Sequence, residues 1–114
     1  MSRHDDRTSM LQMLDYARKA RAMVAGRHRE DLDRDEMLQL ALTRAMEVIG
    51  EAAGRVSETS RNKHAEIPWR DIVGMRNRLI HGYDAVDLNL LWDTVTADLP
   101  PLIEALERIL QEKK

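Results

Sequence analysis

Between Met75 and Tyr83 the chain reads Met-Arg-Asn-Arg-Leu-Ile-His-Gly-Tyr. Arg76, Asn77, His81 and Tyr83 set out the pattern R-x4-H-x-Y, with an amide directly after the arginine. A guanidinium offers phosphate oxygens a planar, permanently charged fork, and an imidazole with an ordinary pKa near about 6.5 takes up or releases a proton at neutral pH. Together they suffice for RNA cleavage without a metal ion. In that reaction the ribose 2′-OH attacks its own phosphate, so the protein must move protons and stabilise charge on the crowded phosphorus. The same two residue types also suit a helix C-terminus, where they satisfy the last carbonyls and complement the macrodipole. Arginine and histidine alone leave both readings open.

Four helical segments are expected to position this stretch. The first runs from about Asp5 to Val24, with Met10, Met13, Leu14, Ala17, Ala20 and Val24 at helical spacing and Gly26 as a left-handed stop. Arg27 to Asp31 reads as a solvated connection with His28 on the surface. For the second helix, Asp33 is the expected cap, with Glu36 completing a capping box and Leu32 stapled to Met37. Its stripe is Leu38, Ala41, Leu42, Ala45, Val48, Ile49, Ala52 and Val56. Arg44, Glu47 and Glu51 share one polar strip, in which the carboxylates are expected to pair with arginines: Arg44 itself, or Arg76 and Arg78 opposite. Gly50 and Gly54 thin one side of this helix for a close neighbour. Glu58 to Glu66 loses the apolar rhythm and reads as a loop with His64 exposed.

Pro68 suits the first position of a third helix, whose apolar side is Trp69, Ile72, Val73, Met75 and Leu79. On continuous helix, at roughly 100° per residue, Arg76 and His81 would point about 140° apart. A helix that ends before His81, with Gly82 in a permissive conformation, is the simpler way to bring them together. Asp87 can cap the fourth helix, with Leu88, Leu91, Trp92, Val95, Leu99, Leu102, Leu106 and Ile109 as its stripe. Pro100 and Pro101 should bend or split it while both halves face one core. The expected fold is all-α, an up-and-down four-helix bundle forming a single domain over residues 1–114.

Composition narrows the function. The formal charge is −2, so any RNA contact must be local, and Arg70, Arg76, Arg78 and His81 are the obvious positive concentration. Two tryptophans, two tyrosines and no phenylalanine argue against a stacking platform for single strands. With no cysteine there is neither a disulfide framework nor a thiolate metal site, and a reducing cytoplasm is the expected setting. The N-terminal residues lack the apolar run of a signal peptide, and no apolar run approaches a membrane span.

The motif resembles the signature of the HEPN superfamily, R-x4-6-H, and specifically its HepT-like branch, R-x4-H-x-Y. Three further phrases resemble that branch in order: Arg44-Ala45-Met46-Glu47-Val48-Ile49-Gly50-Glu51-Ala52-Ala53; Ile67-Pro68-Trp69-Arg70-Asp71-Ile72-Val73-Gly74; and Val86-Asp87 through Trp92-Asp93-Thr94-Val95 to Asp98-Leu99-Pro100-Pro101-Leu102. The resemblance implies a HEPN-like bundle working as a symmetric homodimer, with two motifs facing each other to make one metal-independent ribonuclease cleft. It implies that Arg76 holds the scissile phosphate, His81 transfers protons or touches phosphate, and Asn77 orients the site, with no cofactor. It further implies the toxin half of a type VII toxin–antitoxin pair, in which a minimal nucleotidyltransferase antitoxin of the MntA kind adds AMP to the motif tyrosine, here Tyr83. A different class, a non-cleaving HEPN subunit that binds RNA, nucleotide or the nucleotidyltransferase, is the alternative.

Overall fold

A computed structural model describes residues 5–81 and 85–111, omitting the side chains of Ile80, His81 and Ala85. Tyr83 and Gly82 lie outside the described residues, as do the last three positions of the chain. The elements are α1 (Asp6–Val24), α2 (Arg29–Arg34), α3 (Glu36–Arg55), α4 (Glu58–Lys63), α5 (Trp69–Val73), α6 (Met75–Leu79), β1 (Ile80–His81), β2 (Ala85–Val86), α7 (Leu88–Asp93), a π-helical turn (Thr94–Asp98) and α8 (Leu99–Gln111). The all-α expectation holds. Long helices α1 and α3 pack together, α8 lies along α1, and the short pair α5–α6 lies across α3.

The first helix forms as its spacing predicts. Asp5 caps it by accepting from the Arg7 N–H, its whole apolar stripe is buried, and Gly26 takes φ 76° just beyond its end. Asp6 then locks this end to the next layer, accepting from the Ser57 N–H at 2.9 Å and from the Ser57 and Ser60 hydroxyls at 2.6 Å each.

The connection expected over Arg27–Asp31 is instead partly helical, since α2 turns there to bury Leu32 completely. This moves the start of the next helix. Asp35, not Asp33, caps α3 by accepting from the Leu38 N–H at 3.0 Å, while Asp33 lies within α2 and pairs with Arg29 at 2.9 Å. The Leu32–Met37 staple does not form, because Met37 is 80% exposed. Similarly, the loop expected over Glu58–Glu66 contains α4, capped by Ser57. Its Arg61 reaches back to the C-terminal carbonyls of α3 and its cap, donating to Val56, Ala53 and Gly54 oxygens at 3.0–3.1 Å. His64 is buried at the end of α4, and its carbonyl accepts from the Trp69 indole at 3.0 Å.

The third helix is divided at Gly74 into α5 and α6, and Val73 is exposed while the rest of the expected apolar side is buried. Of the two glycines on α3, Gly50 meets the close neighbour: a Cβ there would lie 3.2 Å from the Ile72 carbonyl oxygen, whereas one on Gly54 would meet open space.

The last segment departs from regular helix before the prolines. Asp87 caps α7, accepting from the Leu90 N–H at 3.0 Å. At the end of the π turn the Leu99 N–H reaches the Thr94 carbonyl, five residues back. Pro100 and Pro101 have no N–H to offer, so they fit the first turn of α8. The Val95 carbonyl, which finds no N–H five residues on at Pro100, accepts from the Arg21 guanidinium of α1 at 3.3 Å.

Gly50→Leu is expected to destabilise the fold by about 1–3 kcal/mol through overpacking against α5. Gly54→Ala is expected to be neutral or to stabilise by up to about 1 kcal/mol through helix propensity. Urea unfolding followed by circular dichroism measures both.

Candidate functional site

The described residues of the motif occupy a short helix and a two-residue strand. Gly74 keeps right-handed helical angles, and its carbonyl accepts from the Asn77 and Arg78 N–H groups at 3.1 and 3.3 Å, starting α6 afresh after α5. The helix ends at Leu79. Ile80 pairs with Val86 and His81 with Ala85 in an antiparallel ladder, and the Asp87 N–H donates to the Leu79 carbonyl at 2.8 Å. The break before His81 is therefore as expected. It comes from strand pairing of the segments flanking 82–84.

Because α5 approaches the bare backbone at Gly50, α6 passes the preceding turn of α3. There Glu47 stands between two guanidinium groups, with Arg76 Nε at 3.4 Å from one carboxylate oxygen and Arg44 Nη1 at 3.5 Å from the other. Both arginine side chains are more than three-fifths exposed, while Glu47 is 22% exposed. Glu47 thus holds Arg76 by the nitrogen nearest its stem. Among the described residues no acceptor holds the two terminal nitrogens, which are the pair that forms a fork on phosphate.

The structure brings together only part of the predicted set. Arg44, Glu47 and Arg76 form one linked cluster, and Asn77 is exposed beside it. Glu51 is exposed one turn along α3 with no ion pair among the described residues. Arg78 turns away from Glu47, folding back over its own segment with Nη2 at 3.4 Å from the Asp71 carbonyl oxygen and 3.7 Å from Met75 Sδ. Among the described residues, no group of three or more histidine, aspartate or glutamate side chains is arranged to hold a metal ion.

A cleft of about 470 Å³ opens beside the cluster, between α3 and the β2–α7 junction. Gln39, Leu40, Thr43, Arg44 and Glu47 form one wall, and Val86 and Leu88 the other. Leu40 is 66% exposed at its edge, and with Met37 it leaves an uncovered apolar strip on α3. Leu40 falls outside the buried stripe of Leu38, Leu42, Ala45 and Ile49, a phase that could have marked it as outward-facing.

The family model described as "Ribonuclease HepT-like" matches residues 13–109. A protein of Thermococcus cleftensis named "Probable ribonuclease HepT" is 42% identical over 80 residues, covering 70% of this chain and 73% of the relative. A protein of Caldanaerobacter subterraneus subsp. tengcongensis, carrying the provisional name of an RNase, is 38% identical over 80% of this chain and 81% of its own length. One from Methanocaldococcus jannaschii, also provisionally named an RNase, is 32% identical over 94% of this chain and 98% of its own length. No solved structure matches the chain significantly.

Because exposed ion pairs contribute little, Glu47→Gln is expected to change unfolding free energy by less than about 1 kcal/mol. Its effect should be local. The Arg76 Nε shift is expected to change in the variant as the carboxylate charge beside it is removed, as nitrogen-15 NMR would record.

Proposed function

The chain belongs to the HepT-like ribonuclease family, and on that premise we propose that it is an endoribonuclease that cuts RNA without a metal ion. The observation that carries the reading is the Arg76–Glu47 contact at 3.4 Å, which engages Nε and leaves the terminal nitrogens of an exposed guanidinium for a phosphate. The cluster of Arg44, Glu47 and Arg76 retains one net positive charge in a protein whose formal charge is −2. This supports local capture of a phosphodiester rather than general attraction of nucleic acid.

In the proposed reaction Arg76 grips the non-bridging oxygens of the scissile phosphate, with Asn77 orienting it. The ribose 2′-oxygen bonds to phosphorus as its proton passes to a histidine, and the bond from phosphorus to the 5′-oxygen breaks as that oxygen receives a proton. The products are a 2′,3′-cyclic phosphate and a free 5′-hydroxyl. One imidazole cannot conveniently serve both ends at once, but His81 and its counterpart in a second copy can divide the two transfers. The uncovered Met37 and Leu40 beside the cleft support such a homodimer. We assign the protein the toxin role in a type VII pair, restrained by a minimal nucleotidyltransferase that transfers AMP to the Tyr83 hydroxyl. A phosphodiester there would compete with RNA for Arg76.

The test is digestion of total cellular RNA by purified protein in excess chelator, after intact mass has shown Tyr83 unmodified. The wild type is expected to cut, and Arg76→Ala and His81→Ala to lose about a hundredfold or more in rate while keeping helicity and assembly. Intact RNA with unmodified wild type, or undiminished cutting by His81→Ala, would reject this mechanism. Retained RNA binding without cutting would then support the non-cleaving subunit.

A further inference from the structure

A second cavity, of about 360 Å³, lies on the other side of the motif helix, between α3, the α5–α6 pair and the π turn with α8. Its inner wall is apolar: Met46 and Ile49 from α3, Ile72 and Met75 from α5 and α6, and Leu99 and Leu102 from α8 are all buried. The volume falls within the range of small-molecule sites, and the two methionines make the wall adaptable to the shape of a guest.

We propose that this cavity binds a small amphipathic cation, an apolar body carrying one ammonium head. The apolar wall takes the body, and the rim selects the head. Glu66, Asp71 and Asp98 line the mouth with three carboxylates, all on exposed residues, against one guanidinium. That guanidinium, on Arg78, is folded back towards the Asp71 carbonyl and Met75 sulfur. The mouth therefore favours a cation and disfavours a carboxylate or phosphate.

A second observation points the same way. Thr94 is 2% exposed on the cavity wall, and its hydroxyl has only the Met75 sulfur, at 3.9 Å, as a partner among the described residues. Its oxygen is thus available to accept a hydrogen bond from a guest, while a thioether is a weak acceptor for its proton. The π turn creates this arrangement by placing Thr94 on the wall and Asp98 at the rim within five residues. Met75 and Arg78 bracket Arg76 and Asn77 on α6, so an occupant bears on the segment that carries the motif. The site itself does not depend on the proposed RNA cleavage.

The test uses the full chain and three probes of matched size: hexylamine, hexanol and hexanoate. Titration is followed through the methionine methyl and threonine resonances by NMR. Hexylamine is expected to bind saturably with shifts at Met46, Met75 and Thr94, roughly tenfold more tightly than hexanol, and hexanoate to bind least. The double variant Asp71→Asn, Asp98→Asn alters only exposed side chains and should reduce the affinity for hexylamine to that for hexanol. Equal binding of amine and alcohol, an undiminished amine preference in the double variant, or shifts confined to other surfaces would each overturn the proposal.

Discussion

A missing side chain governs the geometry of the motif. At Gly50 the backbone of α3 is bare, and the Ile72 carbonyl comes within 3.2 Å of where a Cβ would stand. Only glycine accepts a neighbour at that distance without displacement, so α5 is seated directly on the helix instead of on a layer of side chains. The next segment, α6, then runs past the turn of α3 that holds Glu47. The 3.4 Å contact between Glu47 and Arg76 follows from this seating. By itself the ion pair is weak, because both arginines are exposed to water. Its role is to orient a guanidinium that packing has already brought close.

The second constraint is the end of α6. A helix continued through His81 would carry the histidine away from Arg76 around the cylinder. Antiparallel pairing of Ile80–His81 with Ala85–Val86 replaces that continuation with extended backbone, and the Asp87–Leu79 hydrogen bond closes the base of the ladder. Asp87 participates twice, through its backbone in this closure and through its side chain as the cap of α7. One residue thereby fixes both the end of the ladder and the start of the helix that follows.

Much of this was legible in the residues. The stripe of α1 is buried in full and those of α3 and the last segment for the most part, with Ala41, Leu88 and Trp92 only partly covered and Met46, Ala53, Ala105 and Leu110 buried outside them, because helical periodicity survives wherever a long helix faces one interior. Glu47 was also readable as a partner of arginines, through its shared face with Arg44. Short helices were harder to see. The segments over Arg29–Arg34 and Glu58–Lys63 each bury at most one large apolar side chain, leaving no period to detect. Their functions, burying Leu32 and delivering Arg61 to the end of α3, depend on contacts distant in sequence. Asp33 and Asp35 are equivalent caps by residue type, and the choice falls to Asp35 because α2 occupies Asp33. The π turn was obscured for a related reason. Prolines announce a disturbance at their own positions, whereas here the register shift precedes them and they simply lack donors where α8 begins.

The pairing of α1 with α8 has a consequence for the order of folding. Arg7 donates to the Leu110 carbonyl at 3.1 Å and Arg18 pairs with Glu107 at 2.6 Å, while the apolar faces of the two helices meet along the same seam. The buried face of α1 therefore stays partly uncovered until a helix about 100 residues further along the chain docks on it. Until α8 docks, the domain lacks one wall of its interior, although the R-x4-H-x-Y stretch lies wholly between the two helices in the sequence. The seam is a contact of high sequence separation, so the support beneath the motif is completed by a long-range closure rather than by local helix formation.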